Sequence, residues 1–298
     1  ESAAAEPISL RAWLRSRMAR GDHRRVVDEP TNDPNPRPAA EAPAALPALS
    51  LQAEIDDDVY EGHCNVCGES QVFVRNNPSL REGFLCGRCK ASLRYRGQAE
   101  AILRHYSSRG AASIAELVAE PAFAALSFWE PGTLGPFREY LGKLPHCVTS
   151  NFWPDVPPGE LRDGVRCENL MALTFPTGSF DLIVTSDILE HVRKPYDAFA
   201  EMHRVLKPGG RHIFSIPVQD PMRPITIERV DTSGDDDVFV LEARYHVGAN
   251  NNHYLVYNDF GADIVDNLDA MGFDTEVIRF DAPNAEASRL VTFCSAKR

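Results

Sequence analysis

The sequence predicts an α/β protein with a doubly wound, mainly parallel sheet and a small cysteine-bearing module ahead of it. Strand-like apolar runs alternate with helical patterns through the second half of the chain, the order that favours parallel strands covered on both faces. A Pro/Ala-rich stretch at about residues 30–50 separates this half from the N-terminal residues. A chain of 298 residues suits one large domain with something smaller attached.

Composition narrows the class of protein. Apolar residues make up 43% of the chain and charged residues 25%, which is typical of a globular protein. The formal net charge of −12 makes nucleic acid an unlikely partner, because such binding depends on Lys and Arg neutralising phosphates. The sequence lacks a long apolar run and a signal-peptide core, so we expect a cytoplasmic protein without a membrane partner. Since it begins at Glu1, we expect a processed or shortened chain.

Residues 1–55 are predicted to hold a short helix and a linker. Residues 8–20 place apolar side chains near one face and arginines on much of the rest, as in an amphipathic helix. This helix is expected to dock on its own domain or on a second subunit, which would make a homodimer. A membrane-surface helix would need a stronger apolar face.

Two cysteine pairs predict a metal site within residues 56–92. The pairs, each with two intervening residues, have the spacing of tetrahedral zinc sites. The predicted ligands are Cys64, Cys67, Cys86 and Cys89. Four thiolates leave no open position, so the ion would be structural Zn²⁺; an iron–sulfur cluster is the main competitor, and two disulfides are disfavoured in the cytoplasm.

Glycines and the remaining cysteines complete this prediction. Gly68 and Gly87 lie where close backbone approach and unusual φ values are easiest for glycine. Cys147, Cys167 and Cys294 fall in strand-like runs and are predicted to be buried free thiols.

Basic residues follow the cysteines and allow two interpretations. Arg88, Lys90, Arg94 and Arg96 could form an RNA-contacting patch. The acidic total favours instead a solvated helix start, or arginines that face an anionic small substrate. Residues 93–124 are predicted to be connecting helices.

Residues 125–298 carry the alternating strands and helices. Predicted strands are ALSFW, HCVTS, FDLIVTS, RHIFSIP and LVTFC, and predicted helices are GPFREYLGKL, PYDAFAEMHRVL and DFGADIVDNLDAM. The clearest unit is a strand at Phe180–Thr185, a helix at Pro195–Leu206 with one apolar face, and a strand at Arg211–Ile216. The helix is stopped by Lys-Pro-Gly-Gly, and the unit should form a right-handed crossover.

The segment from Leu173 to Pro217 resembles class I S-adenosylmethionine-dependent methyltransferases of the type 11 group. It carries FDLIVTSDILEHV followed by RVLKPGG, and weaker similarity extends from about Ala125 to Phe293. The resemblance implies a seven-stranded Rossmann-like sheet over residues 125–298, S-adenosyl-L-methionine as cofactor and methyl transfer as activity.

The resemblance also implies a cofactor site at the strand ends. The matching residues are Glu130, Pro131, Gly132, Thr133, Gly135, Asn151, Phe152, Asn169, Leu170, Ser186, Asp187 and Ile188. The glycine loop, E-P-G-T-L-G, departs from the usual pattern, and Asn151 and Asn169 stand where the family usually has acids. An amide oxygen can still accept a hydrogen bond, although a weaker one; otherwise Asp155 or Glu168 would serve.

Three histidines are the predicted catalytic residues. His191 follows the cofactor-facing strand end, and His246 and His253 lie with Tyr254 in a long stretch that the family commonly uses for substrate pockets. Each has a structural role as its alternative. The acidic run 235–237 is expected to be a solvated turn, with a cation site as the alternative.

Three functions compete at this point. The first is methylation of an oxygen or nitrogen of a small molecule, such as a sugar or secondary metabolite. The second is methylation of an RNA base, with the zinc module holding the RNA, and the third is a non-catalytic scaffold. The acidic total disfavours the second function, and the intact SDILEHV segment disfavours the third.

Overall fold

The computed structural model describes residues 58–248 and 251–298. The predicted N-terminal helix and Pro/Ala-rich linker, and the dimer predicted through that helix, lie outside the described residues. Within the described part there are five α-helices: α1 (Leu93–Tyr106), α2 (Ile114–Leu117), α3 (Pro121–Ala124), α4 (Pro195–Val205) and α5 (Ile264–Ala270). Each helix of the described part is too short or too polar to span a lipid bilayer.

The same described ranges contain sixteen strands. The first eight are β1 (Val59–His63), β2 (Ser70–Val74), β3 (Phe128–Pro131), β4 (Cys147–Asn151), β5 (Leu161–Arg162), β6 (Val165–Cys167), β7 (Phe180–Ser186) and β8 (Leu206–Ser215). The other eight are β9 (Ile227–Glu228), β10 (Val230–Asp231), β11 (Val238–Phe239), β12 (Tyr245–Val247), β13 (His253–Leu255), β14 (Asn258–Asp259), β15 (Phe273–Arg279) and β16 (Val291–Lys297).

One eight-stranded sheet organises the fold. Its order is β15-β16-β8-β7-β3-β4-β6-β5, and the five strands from β8 to β6 are parallel. In chain order, β3 is the first strand of this parallel part. Strands β4 and β6 are added on one side of β3, and β7 and β8 are then added on the other side. Strand order therefore reverses between β3 and β7. In open α/β sheets ligands bind at such a point, outside the carboxyl ends of the strands. The predicted doubly wound α/β fold is confirmed, but the sheet has eight strands instead of the seven expected, because the short antiparallel β5 pairs with β6 at its edge.

Burial explains why β7 forms the middle of this sheet. Leu182 and Val184 belong to a core on one face, and Ile183 belongs to a second core on the other. This alternation follows the two-residue period of a strand, so both faces must be covered. The helix α4 covers the second face with Phe199, Met202 and Val205, as predicted.

The first half of β8 contains a close contact between backbone atoms at Gly210. Gly210 lies so near the carbonyl oxygens of Lys207, Phe180 and Asp181 that a Cβ there would be 2.9–3.1 Å from them. The β7–β8 register shifts between Phe180 and Leu182 to accommodate this turn. A residue without a side chain is required at this position.

The cysteine-bearing module packs on the sheet through α1. The core on the first face joins Cys64, Val66 and Phe73 of the module to Leu182 and Val184 of the sheet. On α1, a Cβ at Gly97 would lie 2.6 Å from Leu290 and 2.7 Å from Thr292, so the helix is pressed against the sheet there. The described module and sheet therefore share one core.

One predicted helix was wrong. GPFREYLGKL forms two 3₁₀ turns, Pro136–Glu139 and Leu141–Lys143, instead of an α-helix. The segment is short, it contains Gly142, and Pro145 follows it, so a stable α-helix has little room to form. Phe137 and Leu141, both fully buried, anchor the two turns instead.

Candidate functional site

The four cysteines of the module come together. Their sulfurs all lie within 4.8 Å of one another, with 3.7 Å between Cys64 and Cys89 and 3.5 Å between Cys67 and Cys86. Sulfurs about 2.3 Å from one tetrahedral ion are separated by about 3.8 Å, so the arrangement fits zinc. All seven cysteines of the described residues are free, although Cys147 is only half-buried rather than buried as predicted.

Two similar turns hold the cysteine pairs. Gly68 donates its backbone N–H to the oxygen of Cys64 at 2.7 Å, and Lys90 donates to Cys86 at 3.0 Å. The left-handed φ values belong to Gly68 (80°) and Lys90 (61°), so the prediction of an unusual φ at Gly87 was wrong. Gly87 instead provides the close approach, since its N–H donates to Gln71 at 2.7 Å. Gln71 also donates to the sulfur of Cys86 at 2.8 Å.

The basic residues after the cysteines mostly have partners within the protein. Arg96 is buried, donates to the hydroxyl of Tyr60, and lies 3.6 Å from the ring centroid of Phe73. Arg94 pairs with Asp187 at 2.9 Å. Arg88 is exposed, and it pairs with Glu69 at 3.3 Å. Arg94 and Arg96 therefore form part of the folded framework, not the solvated helix start expected for them.

The glycine loop leaves β3 at the point where strand order reverses. Gly132 and Gly135 have φ values of 108° and 141°, a region that residues with a side chain rarely adopt. Gly132 donates to the backbone oxygen of Ser150 at 2.7 Å, which ties the loop to β4. The hydroxyl of Tyr95, on α1, lies 3.0 Å from where a Cβ at Gly135 would be. The loop is thus closed on one side by α1.

A buried carboxyl lies beneath this loop. Glu130, the third residue of β3, is 6% exposed. Burial raises the pKa of Glu130 to about 7, and the Arg138 guanidinium opposes this rise. The carboxyl is therefore poised to ionise near neutral pH, and a cationic group placed beside it would favour the charged form.

The two predicted cofactor-binding asparagines lie at or just after the ends of β4 and β6. Asn151 ends β4, and its backbone oxygen accepts from the N–H of Glu168 at 2.9 Å. Asn169 uses its side-chain oxygen to accept from the N–H of Met171 at 3.0 Å. Phe152, next to Asn151, is 53% exposed at the carboxyl edge of the sheet.

Both acids considered as substitutes have partners within the protein. Glu168 is buried and accepts hydrogen bonds from Arg166 and from both the N–H and the hydroxyl of Thr174. Asp155 is 71% exposed and pairs with Arg162. Glu168 therefore braces the loop after β6, and the asparagines remain the polar side chains at these strand ends.

At the end of β7, the predicted cofactor residues meet α1. Ser186 donates to the side-chain oxygen of Gln98 at 2.7 Å, and Gln98 donates to the backbone oxygen of Thr185 at 2.8 Å. Asp187, with a φ of 50°, pairs with Arg81 at 2.8 Å and with Arg94 at 2.9 Å. Its other oxygen accepts from Ser215 at 2.8 Å. The guanidinium groups of Arg81 and Arg94, the second of them on α1, therefore hold the carboxyl end of β7.

Sequence reasoning missed the contribution of α1 to this edge. Tyr95, Gln98 and Arg94 precede the region of resemblance, and no motif marks them. One signal was present: Gln98 is a polar residue on the apolar face of a helix, beside Gly97. A buried amide needs hydrogen-bond partners, which the strand end supplies.

The predicted catalytic histidines divide into two groups. His191 and His246 lie with ring centroids 5.0 Å apart, and both approach the carboxylate of Glu190. His253 is exposed on β13, where it pairs with Val247 rather than with His246. Tyr254, opposite His246, lies 5.8 Å from the ring of His191. The sequence did not single out Glu190, which is 1% exposed.

The acidic run in the 217–258 stretch has a protein partner. Asp237 accepts from Arg193 at 2.7 Å and from the hydroxyl of Tyr257 at 3.0 Å. Arg193 also donates to the backbone oxygens of Gly234 and Asp235. Asp235 and Asp236 are exposed, so the run is solvated as expected, and Arg193 clamps it.

Residues 154–214 match a methyltransferase domain family. An uncharacterised methyltransferase of Mycolicibacterium paratuberculosis is 30% identical over 114 residues, which are 38% of this chain and 42% of that protein. The ubiquinone/menaquinone biosynthesis C-methyltransferase UbiE of Citrobacter koseri is 44% identical over 57 residues, 18% of this chain and 23% of UbiE. The chain thus spans less than half the length of these relatives.

Solved methyltransferase structures are also similar. CalS10 of Micromonospora echinaspora, an amino pentose methyltransferase with bound S-adenosylmethionine, has a TM-score of 0.41 and 13% identity, over 70% of this chain and 92% of CalS10. A S-adenosylmethionine-dependent methyltransferase of Mesorhizobium loti has a TM-score of 0.39 and 20% identity, over 58% and 91% of the two chains.

Proposed function

We propose that this protein is an S-adenosylmethionine-dependent methyltransferase that acts on an oxygen or nitrogen of a small molecule. The observation that carries the proposal is the loop at Gly132 and Gly135, which leaves β3 where strand order reverses. The family match and the sequence similarity to methyltransferases support it.

The site residues have separable parts in this proposal. The Gly132–Gly135 loop lets backbone approach the methionine part of the cofactor, and Glu130 lies beneath it to favour the α-ammonium group. Asn151 and Asn169 accept from the nucleoside part, with Phe152 beside them as an exposed aromatic face. Methyl transfer is an in-line displacement, so the chief task of this edge is to position donor and acceptor.

A matched pair of glycine variants tests the cofactor site. Gly132 and Gly110 both have positive φ values, and a Cβ at either would meet no atom within 4 Å. Gly132→Ala and Gly110→Ala therefore both place alanine at a positive φ, but only the first alters the loop. Calorimetry with S-adenosylhomocysteine should give binding to the wild type and to Gly110→Ala, and weaker binding to Gly132→Ala. No binding to the wild type at millimolar ligand would refute the enzyme and favour the scaffold.

We also propose that the four cysteines hold a structural zinc ion. The sulfur separations and the hydrogen bond from Gln71 to Cys86 support this, since a donor to sulfur stabilises a thiolate. Four thiolates leave no position for a reacting ligand, so the ion would order the module and, through the shared core, α1. Elemental analysis distinguishes the ions: about one zinc per chain supports the proposal, whereas iron with labile sulfide refutes it.

The RNA alternative loses support from the contacts of the basic residues. Arg94 and Arg96, two of the four candidate contacts, are committed to Asp187, Tyr60 and Phe73. Electrostatic RNA binding requires accessible cations and weakens steeply with salt. Salt-dependent binding of a structured RNA would revive this function.

A further inference from the structure

A buried carboxylate, that of Glu190, lies within the SDILEHV segment. The side chain of Glu190 is 1% exposed, and neither of its oxygens has a hydrogen-bond partner among the described residues. Removing a carboxylate from water is costly unless hydrogen bonds or a positive charge compensate. A cation beside Glu190 would supply this compensation.

Two imidazoles face this carboxylate at a common distance. Oε1 of Glu190 lies 3.6 Å from Nε2 of His191 and 3.6 Å from Nδ1 of His246, and one ligand atom from each of the three residues fits within 4.8 Å. These separations are too long for hydrogen bonds. Ligands about 2.1 Å from one shared metal ion lie about 3.0–3.5 Å apart. Each of the two distances to Oε1 of Glu190 is therefore close to the spacing of ligands on one ion.

The hydrogen bond of His191 orients the ring for coordination. Its Nδ1 is 2.8 Å from the backbone oxygen of Leu255, which can only accept, so Nδ1 carries the proton. In the neutral ring, Nε2 then directs its lone pair toward Glu190. A lone pair and a carboxylate repel each other unless a cation lies between them. Histidines that bind metals characteristically donate their other N–H to a carbonyl or carboxylate in this way.

The fold brings these residues together from two distant parts of the chain. Glu190 and His191 lie on the 3₁₀ turn Leu189–His191, which follows β7, and buried Leu189 anchors the turn. His246 comes from β12, whose partner strand β13 contains Leu255. The side chains of His191 and His246 are 14% and 34% exposed, so the cluster opens to solvent on the histidine side.

We propose that Glu190, His191 and His246 bind a divalent first-row transition-metal ion. Two imidazoles and one carboxylate suit zinc, iron and related ions, and three protein ligands leave positions open for a small ligand. The site is distinct from the cysteine cluster, and it begins three residues beyond Asp187, at the strand end where the cofactor is proposed to lie.

The location suggests which acceptor the ion would serve, an extension that depends on the proposed methyltransferase function. A bound metal ion lowers the pKa of a coordinated hydroxyl, so the acceptor atom would be oxygen. The hydroxyl proton leaves to solvent, and an oxygen lone pair forms the C–O bond to the methyl carbon. The S–C bonding pair stays on sulfur, which yields S-adenosylhomocysteine and the methyl ether.

Zinc binding tests the site independently of activity. The full chain, with zinc in its cysteine cluster, is dialysed against EDTA to remove weakly held metal and is then titrated with Zn²⁺. We expect the wild type to bind one further equivalent. His246→Ala should weaken this binding by more than ~100-fold, beyond the ~10–100-fold loss typical of a group that only orients a ligand. His253→Ala, an exposed histidine on the same hairpin, is the matched control and should bind as the wild type does.

A second variant protects the test from misfolding. Glu190→Gln removes the buried charge and keeps the side-chain shape, so the metal-free variant should unfold at a temperature no lower than the wild type. Zn²⁺ should raise the unfolding temperature of the wild type and of His253→Ala, but not that of Glu190→Gln. The site is refuted if the wild type binds no further equivalent, or if His246→Ala and His253→Ala bind Zn²⁺ equally well.

Open coordination positions are tested with Co²⁺ and acetohydroxamate, a small oxygen ligand. The visible spectrum of the Co²⁺-loaded site should change on adding acetohydroxamate to the wild type and to His253→Ala; an unchanged spectrum would overturn the role in binding an acceptor oxygen. Calorimetry with S-adenosylhomocysteine on the same samples separates the two proposals. Zinc binding without S-adenosylhomocysteine binding refutes the methyltransferase and leaves the metal site, and the reverse result does the opposite.

Discussion

Replacing Glu130 with glutamine should change stability in a pH-dependent way. The pKa of this buried carboxyl is raised by burial from 4.5 to about 7, so the folded protein binds more protons than the unfolded chain between those values. The free energy of unfolding therefore falls as pH rises through that range. Above pH 7, ionised Glu130 lowers it by about 3 kcal/mol, at about 1.4 kcal/mol per pKa unit. Glu130→Gln carries no such cost.

Urea unfolding at pH 5 and pH 8 measures the effect. The free energy of unfolding of Glu130→Gln minus that of the wild type should be about 2.5 kcal/mol larger at pH 8 than at pH 5, because pH 5 already lies slightly above the unfolded pKa of 4.5. Glu139→Gln, an exposed neighbour, is the control and should show the same small difference at both values. A Glu130→Gln difference that does not depend on pH would refute the reasoning.

The same variant should bind cofactor less well. At pH 8 the wild-type carboxylate favours a cationic ligand, so Glu130→Gln should weaken S-adenosylhomocysteine binding while the apoprotein becomes more stable. Opposite signs for stability and binding are expected where a group is retained for function. Calorimetry at pH 8 supplies the measurement, with Glu139→Gln again as control.

Three further predictions concern the supports of the site. Asp187→Asn should destabilise the protein by about 2–3 kcal/mol in urea unfolding, because Arg81 and Arg94 lose their shared carboxylate and are only partly exposed; an equal loss in Asp155→Asn, whose pair is exposed, would contradict this. His212→Phe should flatten the rise in the free energy of unfolding between pH 3 and pH 6.5. Burial lowers the pKa of His212 to about 3, so in this range the unfolded chain binds a proton at this histidine and the folded protein does not. An unchanged dependence of stability on pH would argue against it. Cys86→Ser should abolish structural zinc and lower the unfolding temperature, since the module shares its core with the sheet; retention of one zinc at the cysteine site would oppose the assignment.

The elements that sequence predicted best are those with strong local signals. The strand at β7 and the helix α4 have apolar residues at periods that match their burial, so their existence and inward faces could be read directly. The four cysteines were equally readable, because their spacing alone restricts them to a metal site or its few alternatives. The helix expected after the glycine loop failed, since packing of Phe137 and Leu141 outweighed a weak helical pattern.

Residues distant in the chain could not be assigned to the site in advance. Nothing in the local sequence pairs Asp187 with Arg81 and Arg94, or Gln98 with Ser186, because those contacts exist only once α1 crosses the sheet edge. Periodicity and spacing report short-range order, whereas hydrogen bonds and ion pairs depend on three-dimensional proximity.

The sequence by itself therefore determined the alternating fold, the cysteine cluster and the glycine loop at a strand end. Only the tertiary structure decided that Glu168 accepts hydrogen bonds from Arg166 and Thr174, and that His191 and His246 converge on Glu190 while His253 does not. The physical reason is burial. Water satisfies any polar group in an extended chain, and only folding reveals which groups have partners and which, like the oxygens of Glu190, lack a hydrogen-bond donor.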